Sequence, residues 1–164
     1  MADWPADWPQ LIRGIGCGMC GGGRPDADSY GICIQHGTVT DAYLQRKKIQ
    51  RGYTVVIWRG RHVAEPTELT DAEASCYWAE TLSVSKALLS LYRPLKLNYE
   101  TLGNTLPHLH THLIPRFRAD PRPGQPFPLW LGTEETIPDV TLQAEAAQLR
   151  QLLGWTDGER AQQR

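Results

Sequence analysis

The 164-residue chain has no excess of either charge: seventeen Lys and Arg stand against eighteen Asp and Glu, a formal charge of −1. That balance removes the electrostatic footprint of a protein that grips duplex nucleic acid or an anionic membrane surface. No apolar run approaches the roughly 18–20 residues needed to span a bilayer. The opening residues, Met-Ala-Asp-Trp-Pro, lack the basic and then apolar regions of a secretion signal, so the expected location is the cytoplasm. Cysteines number only four, and in that compartment they point to thiol or metal chemistry rather than disulfides. Glycines cluster at Gly21, Gly22 and Gly23 but form neither G-x-G-x-x-G nor a Walker pattern, which removes the common phosphate loops. The echo Ala2-Asp3-Trp4-Pro5 and Ala6-Asp7-Trp8-Pro9 is too short for a repeat architecture. It reads as an arm whose two tryptophans pack on the body.

What is present is an alternation of strand and helix signals. Tyr30 to Gln35 and Val39 to Gln45 read as a hairpin turning at His36-Gly37. Tyr53 to Trp58 is β-branched and aromatic throughout, the best strand in the chain. Thr70-Asp71-Ala72-Glu73 is a capping-box pattern opening a helix over 70–91 that Pro94 stops. Its apolar stripe is expected at Ala72, Cys76, Ala79, Leu82 or Val84, Ala87, Leu88 and Leu91. Leu95 to Glu100 is a further strand, and a Gly- and Asn-containing turn follows it. Several prolines between 121 and 128 mark a surface segment, and a second helix is expected over 140–153. The last ten residues look disordered. One domain of α+β class follows, with an antiparallel meander of about five strands, the long helix on one face and a C-terminal helix. Residues 1–120 are expected to form the main body of the domain, and 121–164 to belong to the same compact unit.

Three of the five histidines lie at 108, 110 and 112. On a strand that Pro115 ends, all three point to one face, with neighbours roughly 6.6–6.8 Å apart. The outer pair is then about 13 Å apart, too far for one metal ion to gather all three. Cys17-x2-Cys20, running into a glycine turn, is half of a metal site. Local spacing offers Cys33-x2-His36 as the other half, although a regular strand throws those two side chains to opposite faces. A His-x-His pair at His108 and His110 could instead hold a catalytic ion.

The run His108-Leu109-His110-Thr111-His112-Leu113-Ile114 resembles the signature of the histidine-triad family, alternating histidines interleaved with hydrophobic residues. Pro115-Arg116 resembles the end of that motif in the family's dinucleoside-polyphosphate hydrolases, and residues 42–56 resemble its first hairpin and loop. Three positions depart from the pattern. Thr111 is polar where an apolar residue is usual, Tyr53 replaces a common histidine, and Gln45 stands where an asparagine or aspartate often lies near the ribose.

The resemblance implies a homodimer with two purine-nucleotide sites. It also implies hydrolysis or transfer at an α-phosphate through a nucleotidyl-His110 intermediate. His112 then assists at the phosphate, Asn98, Asn104 and Thr105 supply neutral donors, and Gln45 lies on the nucleoside side. By the same resemblance a structural zinc would sit on Cys17, Cys20, His62 and His108. A nucleotide-binding module without catalysis, and a His-x-His metal-dependent hydrolase, are the other readings.

Overall fold

The computed structural model describes residues 4–129 and 132–155. Two one-turn helices, α1 (Trp8–Leu11) and α2 (Gly18–Gly21), precede the sheet. The strands are β1 (Gly31–His36), β2 (Thr40–Gln45), β3 (Thr54–Trp58), β4 (Lys96–Thr101) and β5 (His110–Arg116). Helix α3 (Asp71–Tyr92) links β3 to β4, and α4 (Asp139–Leu152) follows the sheet.

All strand pairs are antiparallel, in the order β1-β2-β3-β5-β4. A plain meander is therefore not what forms. Helix α3 carries the chain past β3 to the far edge, and the β4–β5 hairpin folds back so that β5 fills the gap. This puts the histidine strand in the interior of the sheet, where its Leu113 and Ile114 are fully buried. Pro115 does not end β5 but pairs within it opposite Leu97. Its polar edge faces the side on which β3 has already finished, and Gln50 Nε2 donates to its carbonyl at 2.8 Å. No ladder bond is lost there.

Alternation along each strand separates two faces. Ala42, Leu44, Val56 and Leu113 join Val84, Leu88 and Tyr92 of α3 and Leu142, Ala146 and Leu149 of α4 in one core. Each large aliphatic side chain fully buried there contributes about 1.5–3 kcal/mol. Tyr43, Gln45, Val55, Ile57, His110 and His112 occupy the opposite face.

Helix α3 starts as its sequence dictates. Thr70 Oγ1 accepts from the Glu73 N–H, and Glu73 Oε2 accepts from the Thr70 N–H. The helix stops at Arg93, which turns left-handed at φ 49° before Pro94. Its buried stripe agrees with the expected one at Val84, Ala87 and Leu88 and departs from it in the first half of the helix. Tyr77, Thr81, Val84 and Ser85 face the sheet, whereas Ala72, Ala79 and Leu82 are exposed and Cys76 is only partly covered. Polar residues are tolerated inside because Thr81 and Ser85 donate to the carbonyls of Tyr77 and Thr81, at 2.7 and 2.8 Å. The Tyr77 and Thr111 hydroxyls meet at 2.7 Å, which accounts for a polar residue between two triad histidines.

Of the two N-terminal tryptophans, Trp8 is half-buried but Trp4 does not pack on the body as expected. Trp4 is 64% exposed and rests edge-on against Trp8. Residues 156–164, most of the tail read as disordered, lie outside the described residues. Trp155 itself is buried against Cys33 and Tyr43.

Candidate functional site

A cavity of about 400 Å³ opens on the face of the sheet away from α3 and α4. Strands β2, β3 and β5 form its floor, and Met19, Gly22 and Gly23 of the N-terminal arm form one wall. His110 and His112 stand side by side on that floor, with ring centroids 4.8 Å apart and planes at 71°.

Each imidazole has one nitrogen engaged by the protein. His110 Nδ1 donates to the carbonyl of His108 at 2.6 Å. Its Nε2 therefore carries a lone pair toward the cavity. His112 Nδ1 lies 2.6 Å from the hydroxyl of Tyr53. Burial lowers the pKa of His110, an effect that its bond to the His108 carbonyl partly offsets. Burial, and then the neighbouring His110, lower that of His112 to about 4. Both rings are thus neutral near pH 7. An imidazole with an available lone pair is a competent nucleophile there.

His108 plays a different part. It lies just before β5 rather than on it, and its ring turns away from the other two. Its Nδ1 is 3.4 Å from both Cys17 Sγ and Cys20 Sγ, and Cys20 Sγ is 3.3 Å from His62 Nδ1. The four ligand atoms all lie within 4.8 Å of one another. A tetrahedral ion with bonds of about 2.3 Å to sulfur and 2.0–2.1 Å to nitrogen separates such atoms by about 3.6 Å. The donor set fits that geometry. His108 Nε2 also donates to the Trp58 carbonyl at 2.8 Å, which leaves Nδ1 as the metal-facing lone pair. Gly14, at φ +80°, closes over His62 so tightly that an added Cβ would fall 2.7 Å from the ring. With both nitrogens engaged away from His110, His108 does not form a chelating pair with it.

The local alternative through Cys33 and His36 is not what assembles with Cys17 and Cys20. A β-bulge between Cys33 and Gln35 breaks the alternation. Cys33 Sγ comes within 3.5 Å of His36 Nδ1, so the two do not diverge as a regular strand requires. His36 Nδ1 is committed to Asp41 at 2.7 Å.

Asp41 ties the arm to the sheet. Its carboxylate is fully buried and receives Arg24 Nη2 at 2.6 Å, Arg59 Nε at 2.5 Å and His36. Burial pushes its pKa up, but the bonds from His36 and Arg24 and the charge of Arg59 together hold it below the ordinary value. Arg59 lines the cavity and donates from Nη1 to the Met19 carbonyl at 2.7 Å, between the two cysteines. Asp41→Asn removes the buried charge on which exposed Arg24, half-buried Arg59 and His36 converge, so a loss of about 1.5–3 kcal/mol is expected in chemical denaturation. A loss under about 1 kcal/mol contradicts this account.

The remaining sequence candidates separate. Gln45 lines the cavity, its Nε2 donating to the Tyr43 carbonyl at 3.3 Å. Asn104 and Thr105 are exposed in the loop before Leu106, which does reach the cavity. Asn98 pairs with Ile114, one strand repeat beyond His112, and accepts from Arg116 at 2.7 Å in a separate groove. Tyr53, Arg59 and Asp41 escaped the sequence reading as site residues. The signal available for Tyr53 was its place as the departure beside the triad.

A family model described as HIT domain matches residues 29–119, more than half of the chain. Protein hit of Bacillus subtilis is 30% identical over 81 residues, 46% of this chain and 55% of that protein. An AP-4-A phosphorylase of Mycobacterium tuberculosis is 27% identical over 120 residues, 70% of this chain and 59% of that protein. The chain spans little more than half the length of these curated relatives. A histidine triad protein from Sinorhizobium meliloti has a TM-score of 0.66 and 26% identity, covering 74% of this chain and 88% of its own. A Zn-bound histidine triad family protein from Mycobacterium smegmatis shares the fold at a TM-score of 0.59 and 20% identity, covering 88% and 98%. The matched segment runs from β1 through β5 and takes in the three alternating histidines on and just before β5; the chain belongs to the histidine triad, or HIT, family.

Proposed function

We propose that the chain cleaves a nucleoside phosphate derivative at its α-phosphate through a nucleotidyl-His110 intermediate. The observation that carries this reading is the bond from His110 Nδ1 to the His108 carbonyl, which aims an unprotonated Nε2 into the cavity. In the first step Nε2 attacks the α-phosphorus, a P–N bond forms and the bond to the leaving group breaks. In the second, water attacks phosphorus, the P–N bond breaks, and a nucleoside monophosphate and free His110 result. Two easier steps replace one hard one. His112 stands at the same phosphate to donate a hydrogen bond as charge develops. The apolar walls from Val55 and Ile57, with the Tyr43 ring, suit a flat purine base.

Dinucleoside polyphosphates and nucleoside phosphoramidates are the proposed substrate classes, supported by the likeness to an AP-4-A phosphorylase. Zinc is the proposed ion for Cys17, Cys20, His62 and His108, because two thiolates and two imidazoles in tetrahedral reach suit it. Such a closed site has a structural role. It would tie the arm that walls the cavity to the strand that bears the histidines. A homodimer is proposed as well: β4 is an edge strand, and Trp78, Leu82 and Leu89 of α3 are exposed.

A screen of dinucleoside polyphosphates, nucleoside phosphoramidates and nucleotide sugars, read by released nucleoside monophosphate, tests the reaction. Release from one of the first two classes is expected. No release from any class contradicts the proposal.

A further inference from the structure

We infer that Tyr53 is a positioning residue, its hydroxyl donating to His112 Nδ1 so that His112 presents an Nε2–H donor beside the lone pair of His110. The inference deepens the proposed function and rests on it for its catalytic consequence, though not for its geometry. Tyr53 is only 6% exposed, and His112 Nδ1, at 2.6 Å, is the one hydrogen-bond partner of its hydroxyl among the described residues. The two rings stack with centroids 5.8 Å apart and planes at 16°, while the edge of His110 closes the other side. The His112 ring is therefore held in place.

The direction of the bond follows from the protein partners each group has. If Nδ1–H donated to the phenol oxygen, the hydroxyl proton of Tyr53, on a side chain only 6% exposed at the cavity wall, would have no protein acceptor among the described residues. If the hydroxyl donates, Nδ1 accepts, and the remaining ring proton sits on Nε2, toward the cavity. Glu100, the cross-strand partner of His112 on β4, makes no hydrogen bond to either ring among the described residues. It does not compete for the proton.

The outcome is two neighbouring imidazoles held as opposite tautomers by different acceptor and donor groups. His110 is protonated at Nδ1 by virtue of a backbone carbonyl and offers a nucleophile. His112 is protonated at Nε2 by virtue of a phenol and offers a hydrogen bond to a phosphate oxygen. A substrate with an anionic phosphate finds an attacking atom and a donor 4.8 Å apart, ring centre to ring centre. Neither role needs a proton to move before attack.

Long-range ¹H–¹⁵N correlation on ¹⁵N-histidine-labelled protein near pH 7.5 tests this, with His112 assigned by its disappearance in His112→Gln. The wild type is expected to show His112 protonated at Nε2 alone. Tyr53→Phe keeps the stacked ring, and in it the His112 signals are expected to shift toward a mixture of tautomers. With the substrate that the wild type turns over, Tyr53→Phe is expected to lower kcat roughly tenfold and change KM less than twofold. A wild-type His112 protonated at Nδ1 overturns the inference, as does a Tyr53→Phe tautomer unchanged from the wild type. If no substrate class is turned over, the proposed function fails, and the nitrogen spectra still decide the role of Tyr53.

Discussion

His110→Ala is expected to lose at least about 10³-fold in turnover while its unfolding transition and metal content stay near those of the wild type. The size of the effect follows from what is removed. Alanine takes away the atom that forms the P–N bond, and no other side chain can supply it from the same place. His112 is the nearest imidazole, but its Nδ1 is taken by Tyr53, and under the tautomer inferred above its Nε2 is protonated. His108 faces the cysteines. The fold survives because the His110 ring lies on the cavity face, outside the core that Val56, Leu88 and Leu113 share. His110→Asn, closer in volume, is expected to behave alike in turnover. Activity within tenfold of the wild type in both variants contradicts the assignment of His110.

Cys17→Ser and His108→Ala are each expected to lose the bound ion and to melt roughly 10 °C below the wild type, a shift of about 3 kcal/mol for a chain of this size. Chelation should lower the wild-type melting temperature by a similar amount and leave Cys17→Ser unmoved. The argument rests on chain connectivity. Residues 17–20 meet His62 and His108, 42 and 88 positions away from Cys20, so one ion there would fix the arm against two separate segments. The arm is otherwise tied by Arg59 reaching the Met19 carbonyl, Arg24 reaching Asp41, and the Tyr43 hydroxyl reaching the Pro25 carbonyl, among other bonds. Cys33→Ser should retain its metal, since Cys33 lies with His36 and Trp155 instead. Metal analysis checks the set: full occupancy in Cys17→Ser or His108→Ala removes that residue from the site.

How far this architecture can be read without coordinates differs from one element to the next. The β5 run was legible because alternating histidines among leucines leave few other conformations, and the Thr70–Glu73 cap because both halves of the box are local. The Cys17, Cys20, His62 and His108 cluster entered through family resemblance, since nothing in local spacing links residue 20 to residue 108. The phase of α3 was legible at Val84, Ala87 and Leu88 but not in its first half. Apolar counting favours Ala72, Ala79 and Leu82, and only the hydroxyl partners of Tyr77, Thr81 and Ser85 explain why those residues face inward. The bulge at Cys33–Gln35 was equally hidden, because it depends on register against Tyr43 and Ala42. Asn98 shows the same limit. Its distance from the triad is set by pairing with Ile114, and Arg116 then claims its side chain. Long-range register and buried polar partners, rather than local propensity, account for these differences.

The central claim is that His110 carries the nucleotidyl group. Rapid mixing with substrate, quenching at alkaline pH to preserve the P–N bond, and peptide mass spectrometry measure this directly. The account predicts a single adduct of one nucleoside monophosphate less water, located on His110 and absent from His110→Asn. Turnover with no adduct during the approach to steady state, or with the adduct on His112 or another residue, would contradict it.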